Sequence, residues 1–264
     1  MDLSTLIGLV LGIVSLVLGF VLEGGSIGSL VEPTAAIIVF GGTFGATILS
    51  FPFKILKKLP EILKYAFLEK KTLPEQTIEL LVDLSNLSRR EGLLALEAQV
   101  QAQSNNPFLK EGIQMIADGV EAEMIEDILT RQIERYEENI LSVAKVFETA
   151  AGFAPTMGII GTVMGLVHVL GGLSDPSSLG PAIAVAFIAT LYGVSSANII
   201  YLPLANKVKA RLASDVLIME LQTEGLMSVQ YGENSNVLKS KLTAFLDTKS
   251  RAQFSGRSEV EVNG

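Results

Sequence analysis

No cysteine occurs in the 264 residues, which excludes a disulfide framework, a thiolate metal cluster and a thiol nucleophile, and leaves the redox compartment unmarked. Nucleotide-binding loops, metal-ligand spacings and nucleophile–base arrangements are missing as well, so nothing points to an enzyme or to a bound cofactor. A basic face is also lacking: the net charge is −8, spread over the polar stretches, which argues against a nucleic-acid partner.

The most informative absence is that of charge. Residues 3–22, 33–53, 149–174 and 176–206 contain no Asp, Glu, Lys or Arg. Each is long enough to cross ~30 Å of hydrocarbon, which takes roughly 20 helical residues. With 49% hydrophobic residues and a mean hydropathy of +0.46, the chain is too apolar for a water-soluble domain. A buried soluble helix can be apolar all round, but four such runs at spanning length make a bilayer the expected solvent. The amino terminus enters the first run without a basic leader or cleavage site, so that run is expected to stay as a helix.

The reading is an all-α membrane protein with four transmembrane helices and a large helical cytoplasmic domain between the second and third. Residues 1–53 form a first hairpin with an outer loop at about 23–33, and 54–148 the cytoplasmic domain. A second hairpin spans 149–206, a cytoplasmic helix 207–248, and a disordered tail 249–264. Within the domain, Pro74 opens a helix through Leu87, a second begins near Arg90, and 121–146 is a long amphipathic helix. Breaks fall at Asn105–Pro107 and at Asp118-Gly119. Val208, Leu212, Val216, Met219 and Leu221 give the later helix a face that packs on the domain.

Lys54, Lys57, Lys58 and Lys64 follow the second run, and Lys207, Lys209 and Arg211 follow the fourth, whereas residues 23–32 and the turn at Asp175-Pro176 carry no basic residue. Positive charge stays inside, so both termini are expected in the cytoplasm.

Ion-moving membrane proteins usually keep an ionisable group within a span, and here only His168 qualifies, with a packing or a proton-linked role open to it. The third and fourth runs instead carry Thr156, Thr162, Thr190, Ser195 and Ser196 beside Gly158, Gly161, Gly165 and Gly193. This suits close helix packing, or an ion path lined by neutral oxygens. Hydroxyls solvate an ion but do not exchange a proton near neutral pH, so a carboxylate would have to come from another chain. Pro155 and Pro203 sit at the inner ends of the two runs, as a hinge or as plain helix boundaries. Arg89, Arg90 and Glu97 bracket an apolar patch that is either a solvated face or a docking surface.

The stretch from Ala154-Pro155-Thr156-Met157-Gly158 to Gly161-Thr162-Val163-Met164-Gly165, followed by Ala189-Thr190-Leu191-Tyr192-Gly193 and Leu202-Pro203-Leu204-Ala205-Asn206-Lys207, resembles the flagellar stator subunits of the MotA/PomA family. The likeness runs to about Asp247. It implies a homopentamer in the bacterial inner membrane, around a MotB-type partner whose Asp carries the ion beside Thr162 and Thr190. It further implies that Pro155 and Pro203 couple ion flow to torque, and that Arg89, Arg90 and Glu97 meet the rotor protein FliG. Ala189 stands where sodium-type members tend to carry a second hydroxyl, which favours protons, although Tyr192 and Asn198 look more like the sodium branch. A TolQ/ExbB-type envelope motor and a passive membrane scaffold are the alternatives; the former usually lacks the first hairpin.

Overall fold

Described in the computed structural model are residues 3–68, 73–103, 106–171, 176–252 and 254. Helices, with a few 3₁₀ and π turns, make up the regular structure, and no strand occurs among the described residues. The chain divides into two compact units, residues 1–69 with 139–211 and residues 70–138 with 212–264.

The first unit holds the charge-free runs, and four of the chain's helices are long and apolar enough to cross a membrane. The first is Leu3–Leu22, whose side chains are largely exposed, Leu11 and Leu22 among them; in a bilayer that surface faces lipid. The second runs unbroken from Pro33–Ala36 through a π turn at Ile37–Gly41 into Gly42–Ser50. It ends three residues before the apolar run does. Phe51 is extended, because the residue before a proline, here Pro52, is kept out of helical conformation. The third span is the later part of a helix covering Ala122–Gly171. The fourth passes from Pro176–Ser195 through a π turn at Ser196–Tyr201 into Leu202–Gln230.

Small residues hold the spans together: Ala150, Ala151 and Ala154 bury against Ala197 and Tyr201, and Ala35 and Val39 against Ile188 and Ala189. A third cluster joins Ile62 and Ala66 to Val143, Ala144 and Val208. Beside it Arg211 lies 4.3 Å from the centre of the Tyr65 ring and donates to the carbonyls of Tyr65 and Leu68. These are carbonyls left open where the helix Leu59–Phe67 ends.

The second unit buries an aliphatic core that includes Ile78, Leu81, Leu109, Ile113, Leu221 and Leu226. Leu212 and Leu221 are buried as their spacing predicts, while Val216 and Met219 are only half-buried. Three expectations need correction. No helix begins at Arg90: the helix Pro74–Glu91 runs past Leu87, with Arg89 and Arg90 in its last turn, where basic residues suit the carbonyl end. Gly92 stops it with φ +87, a conformation that glycine adopts without strain. The segment after the fourth span is two helices, since Gly232 at φ +66 separates Leu202–Gln230 from Ser235–Thr243. Disorder does not start at Lys249, because residues 248–252 are helical and Phe254 is buried in the core. The breaks at Asn106-Pro107 and Asp118-Gly119 are where expected: Asn106 Oδ1 accepts from Leu109 N at 3.2 Å, and Gly119 has φ +74. Asn105, the outer turn at Asp175, and residues 253 and 255–264 of the tail lie outside the described residues.

Arg211→Ala is expected to cost about 1–3 kcal/mol of stability, read as thermal unfolding of the purified protein. Arg211→Lys recovers little of it, because a point charge cannot serve two carbonyls while lying on a ring. In the second unit Lys241 donates to Glu233 at 2.8 Å and lies 3.4 Å from Glu224, and its ammonium holds the Glu233 carboxyl below the usual range. A lowered carboxyl stabilises above its unfolded value and ceases to as pH falls through its folded one. The stability difference between the wild type and Lys241→Met is therefore expected to be constant near neutrality, to shrink once the pH falls below the unfolded glutamate value of about 4.3, and to be gone below the lowered folded one.

Candidate functional site

The third and fourth spans meet on glycine. A methyl added to Gly158 would sit 2.9 Å from Ala189 O and 3.1 Å from Thr190 Cα; one on Gly165 would sit 2.8 Å from Ala186 Cβ. On the other helix, a methyl on Gly193 would strike the carbonyl of Ala154 and come 3.1 Å from Gly158 Cα. Two backbones this close leave room between them only for small side chains.

Thr162 and Thr190 occupy that contact, their Oγ1 atoms 2.5 Å apart. Thr162 Oγ1 also donates to Ala186 O across the contact at 2.9 Å and to Gly158 O in its own helix at 3.1 Å. Both residues are half-buried, so one side of the pair stays reachable. The other hydroxyls behave differently. Thr156 donates to Phe153 O, Ser195 to Leu191 O and Ser196 to Gly193 O, each within its own helix. Of the five hydroxyls in the sequence cluster, only Thr162 and Thr190 bond between helices. Asn198 likewise donates to its own helix at Val194 O.

Ala189 adjoins Thr190 on the fourth span. It is fully buried beside Ala35, Val39 and Ile188, with Gly161 opposite it. Pro155 lies inside the helix Ala122–Gly171 and is half-buried, while Pro203 is exposed. Pro203 follows the π turn Ser196–Tyr201; a proline removes one helical hydrogen bond and crowds the carbonyl four residues back, and a wider turn relieves that crowding. His168 is exposed and away from the pair's hydrogen bonds. In the second unit Arg89, Arg90 and Glu97 are all exposed, around Leu94, which is 75% exposed. Gly92, at φ +87, ends the helix that carries the two arginines, and Leu94 and Glu97 follow it.

Two features escape the sequence reading. Tyr192, two residues after Thr190, fastens the connection between the first two spans: its hydroxyl donates to Leu30 O at 2.5 Å and accepts from Glu32 N at 3.1 Å. Its ring stacks on Phe40, centroids 5.8 Å apart. The π turns at Ile37–Gly41 and Ser196–Tyr201 are the other. Pro203 marks the second of them in the sequence; the first has no such signal.

Together these features define a multi-pass α-helical membrane protein whose third and fourth spans pack on glycine around one shared hydroxyl pair. The model of the MotA/TolQ/ExbB proton channel family matches residues 100–221, and that of the Motility protein A N-terminal region matches residues 6–92. Motility protein A of Bacillus subtilis is 38% identical over 99% of this chain and 97% of its own length. Chemotaxis protein PomA of Vibrio alginolyticus is 35% identical over 96% of this chain and 98% of its own. A chain of the flagellar MotAB stator complex from Bacillus subtilis superposes with a TM-score of 0.89 at 38% identity, covering 94% of this chain and 98% of that one. The chain belongs to the MotA/TolQ/ExbB proton channel family, in its Motility protein A branch.

Gly193→Val is expected to separate the third and fourth spans, at about 1–3 kcal/mol or more of overpacking, seen as a lower unfolding temperature in detergent. Gly152→Ala, where an added methyl meets nothing within 4 Å, is expected to leave that temperature unchanged.

Proposed function

We propose that this chain is the ring-forming subunit of an ion-driven flagellar stator, in which an Asp of a MotB-type partner carries the ion past Thr162 and Thr190 and the ring turns against that partner. The carrying observation is the Thr162–Thr190 pair, bonded between helices within runs that hold no Asp, Glu, Lys or Arg. Neutral oxygens can steady a passing ion, but the charge that binds and releases it must come from elsewhere. The flagellar MotAB stator complex from Bacillus subtilis, one chain of which this chain resembles, supports a partner of that kind and an oligomeric assembly.

In the bilayer an Asp carboxyl meets its neighbours differently when ionised and when loaded, since a proton or sodium ion cancels its charge. Alternate loading and release lets successive subunits engage it. Pro155 and Pro203 interrupt two helix ladders near the path and are the proposed points of bending. Arg89, Arg90 and Glu97 are exposed and are the proposed contacts for complementary charges on the rotor protein FliG. The proposed ion is the proton, because Ala189 stands where sodium-type members of the family tend to carry a second hydroxyl, which leaves fewer neutral oxygens for a sodium site. The four apolar helices and the family fit the bacterial inner membrane, and the basic residues after the second and fourth spans support both termini inside. The envelope-motor reading is disfavoured by the match of residues 6–92 to the Motility protein A N-terminal region.

Co-expression with the MotB-type partner in a non-motile stator-deletion strain, at varied sodium and fixed pH, tests this reading. Sodium-independent swimming is expected, lost or strongly reduced by Arg89→Glu, Glu97→Lys or Pro203→Leu while the complex still co-purifies. Unaltered swimming of the Pro203 variant contradicts the coupling role. Swimming that requires sodium overturns the ion assignment alone, and no swimming despite assembly favours an envelope motor.

A further inference from the structure

The hydroxyl pair has a direction. Thr162 Oγ1 carries a single proton, and two main-chain carbonyls share it, Ala186 O at 2.9 Å and Gly158 O at 3.1 Å. A carbonyl only accepts, so Thr162 is the donor in both contacts. The 2.5 Å contact between the hydroxyls is then donated by Thr190 and accepted by Thr162 Oγ1. Since Thr190 also has one proton, that proton is committed inward. What its oxygen offers to any other group is lone pairs.

Nothing titratable in the surrounding spans competes for this arrangement. Across residues 149–171 and 176–206 the titratable side chains are His168, Tyr192 and Tyr201. The imidazole is exposed, the Tyr192 hydroxyl is engaged with Leu30 and Glu32, and Tyr201 lies in the alanine cluster. On the second span Glu32 meets Tyr192 through its main-chain nitrogen. None of these bonds to Thr162 or Thr190.

We infer that the Thr162–Thr190 pair is polarised as an acceptor and so selects the ion-loaded form of the partner's acid over the bare carboxylate. This rests on the reading that a partner carboxyl reaches the pair. A protonated acid has an O–H to donate to Thr190 Oγ1, and a sodium ion held by a carboxylate takes the same lone pair as a ligand. A bare carboxylate sets lone pair against lone pair. It gains a donor only when Thr190 turns its proton outward, which leaves Thr162 Oγ1 without one. Ion release is therefore tied to rotation of one hydroxyl at the glycine contact. Both threonines keep their protons throughout; the travelling ion passes between the acid and water, and the pair orients the acid without relaying anything.

The two possible directions of this bond predict opposite shifts in a measurable quantity. Ion flux through the purified complex of this chain with its partner, in proteoliposomes, gives the ion activity at half-maximal rate. Replacing the acceptor by Thr190→Val removes a hydrogen bond from the loaded form and is expected to raise that activity about tenfold, the worth of one net hydrogen bond. The less polar methyl by itself favours a neutral acid and pushes the other way, so a rise reports the lost acceptor. Thr190→Ala, smaller and free of steric demand, is expected to shift the same way, and Thr190→Ser to restore the midpoint. A midpoint that falls or stays put in Val and Ala variants that still co-purify overturns the inference, since it makes Thr190 a donor to the carboxylate or a bystander. Absence of flux in the wild-type complex instead overturns the stator reading beneath it.

Discussion

Hydrocarbon offers a polar group no water to bond with, and the membrane unit is organised around that constraint. Each span keeps its backbone bonds in a helix, and most side-chain hydroxyls fold back on their own carbonyls, as Thr47, Thr156, Ser195 and Ser196 do. Thr162 and Thr190 depart from this. They bond to one another because Gly158, Gly165 and Gly193 let two backbones approach within contact distance. The glycines thus set the spacing, the spacing fixes the pair, and the pair presents neutral oxygens where the spans contain no charge. On the proposed reading, an ion path along this pair is incomplete without a carboxylate from outside the chain.

The second unit follows the rules of a water-soluble helical domain. Aliphatic side chains such as Ile78, Leu81 and Leu221 fill its interior, its ion pairs Arg131–Asp127 and Arg135–Glu138 are exposed, and a pair of that kind contributes little to stability. Its informative surface is the edge turned by Gly92. There Arg89, Arg90, Leu94 and Glu97 remain uncovered, although Leu96 between them is buried. An exposed leucine flanked by opposite charges suits reversible docking better than permanent burial.

The parts of this architecture legible from sequence were those set by a length or a composition. Hydrocarbon thickness fixes how long a charge-free run must be, so the four spans could be read directly, and Pro74, Pro107 and Asp118-Gly119 punctuated the soluble helices through rigid local chemistry. Features set by tertiary approach were not legible. The hydroxyl cluster was visible, but which of its five members bond between helices depends on which glycines face which carbonyls. The helix end was read a few residues early, between Leu87 and Arg90, because the polar run Ser88-Arg89-Arg90-Glu91 interrupts the apolar pattern before Gly92 does. Phe254 was passed over because a single aromatic in a polar tail carries no periodicity, and burial alone reveals it as an anchor.

The central claim is that this chain supplies a path and not the charge that works it. Ion flux into proteoliposomes holding this chain alone, set beside flux with the MotB-type partner and with that partner's Asp neutralised, tests it most directly. The account predicts flux only where chain, partner and ionisable Asp are all present. Conduction by this chain alone, at a rate comparable to the complex, would contradict it.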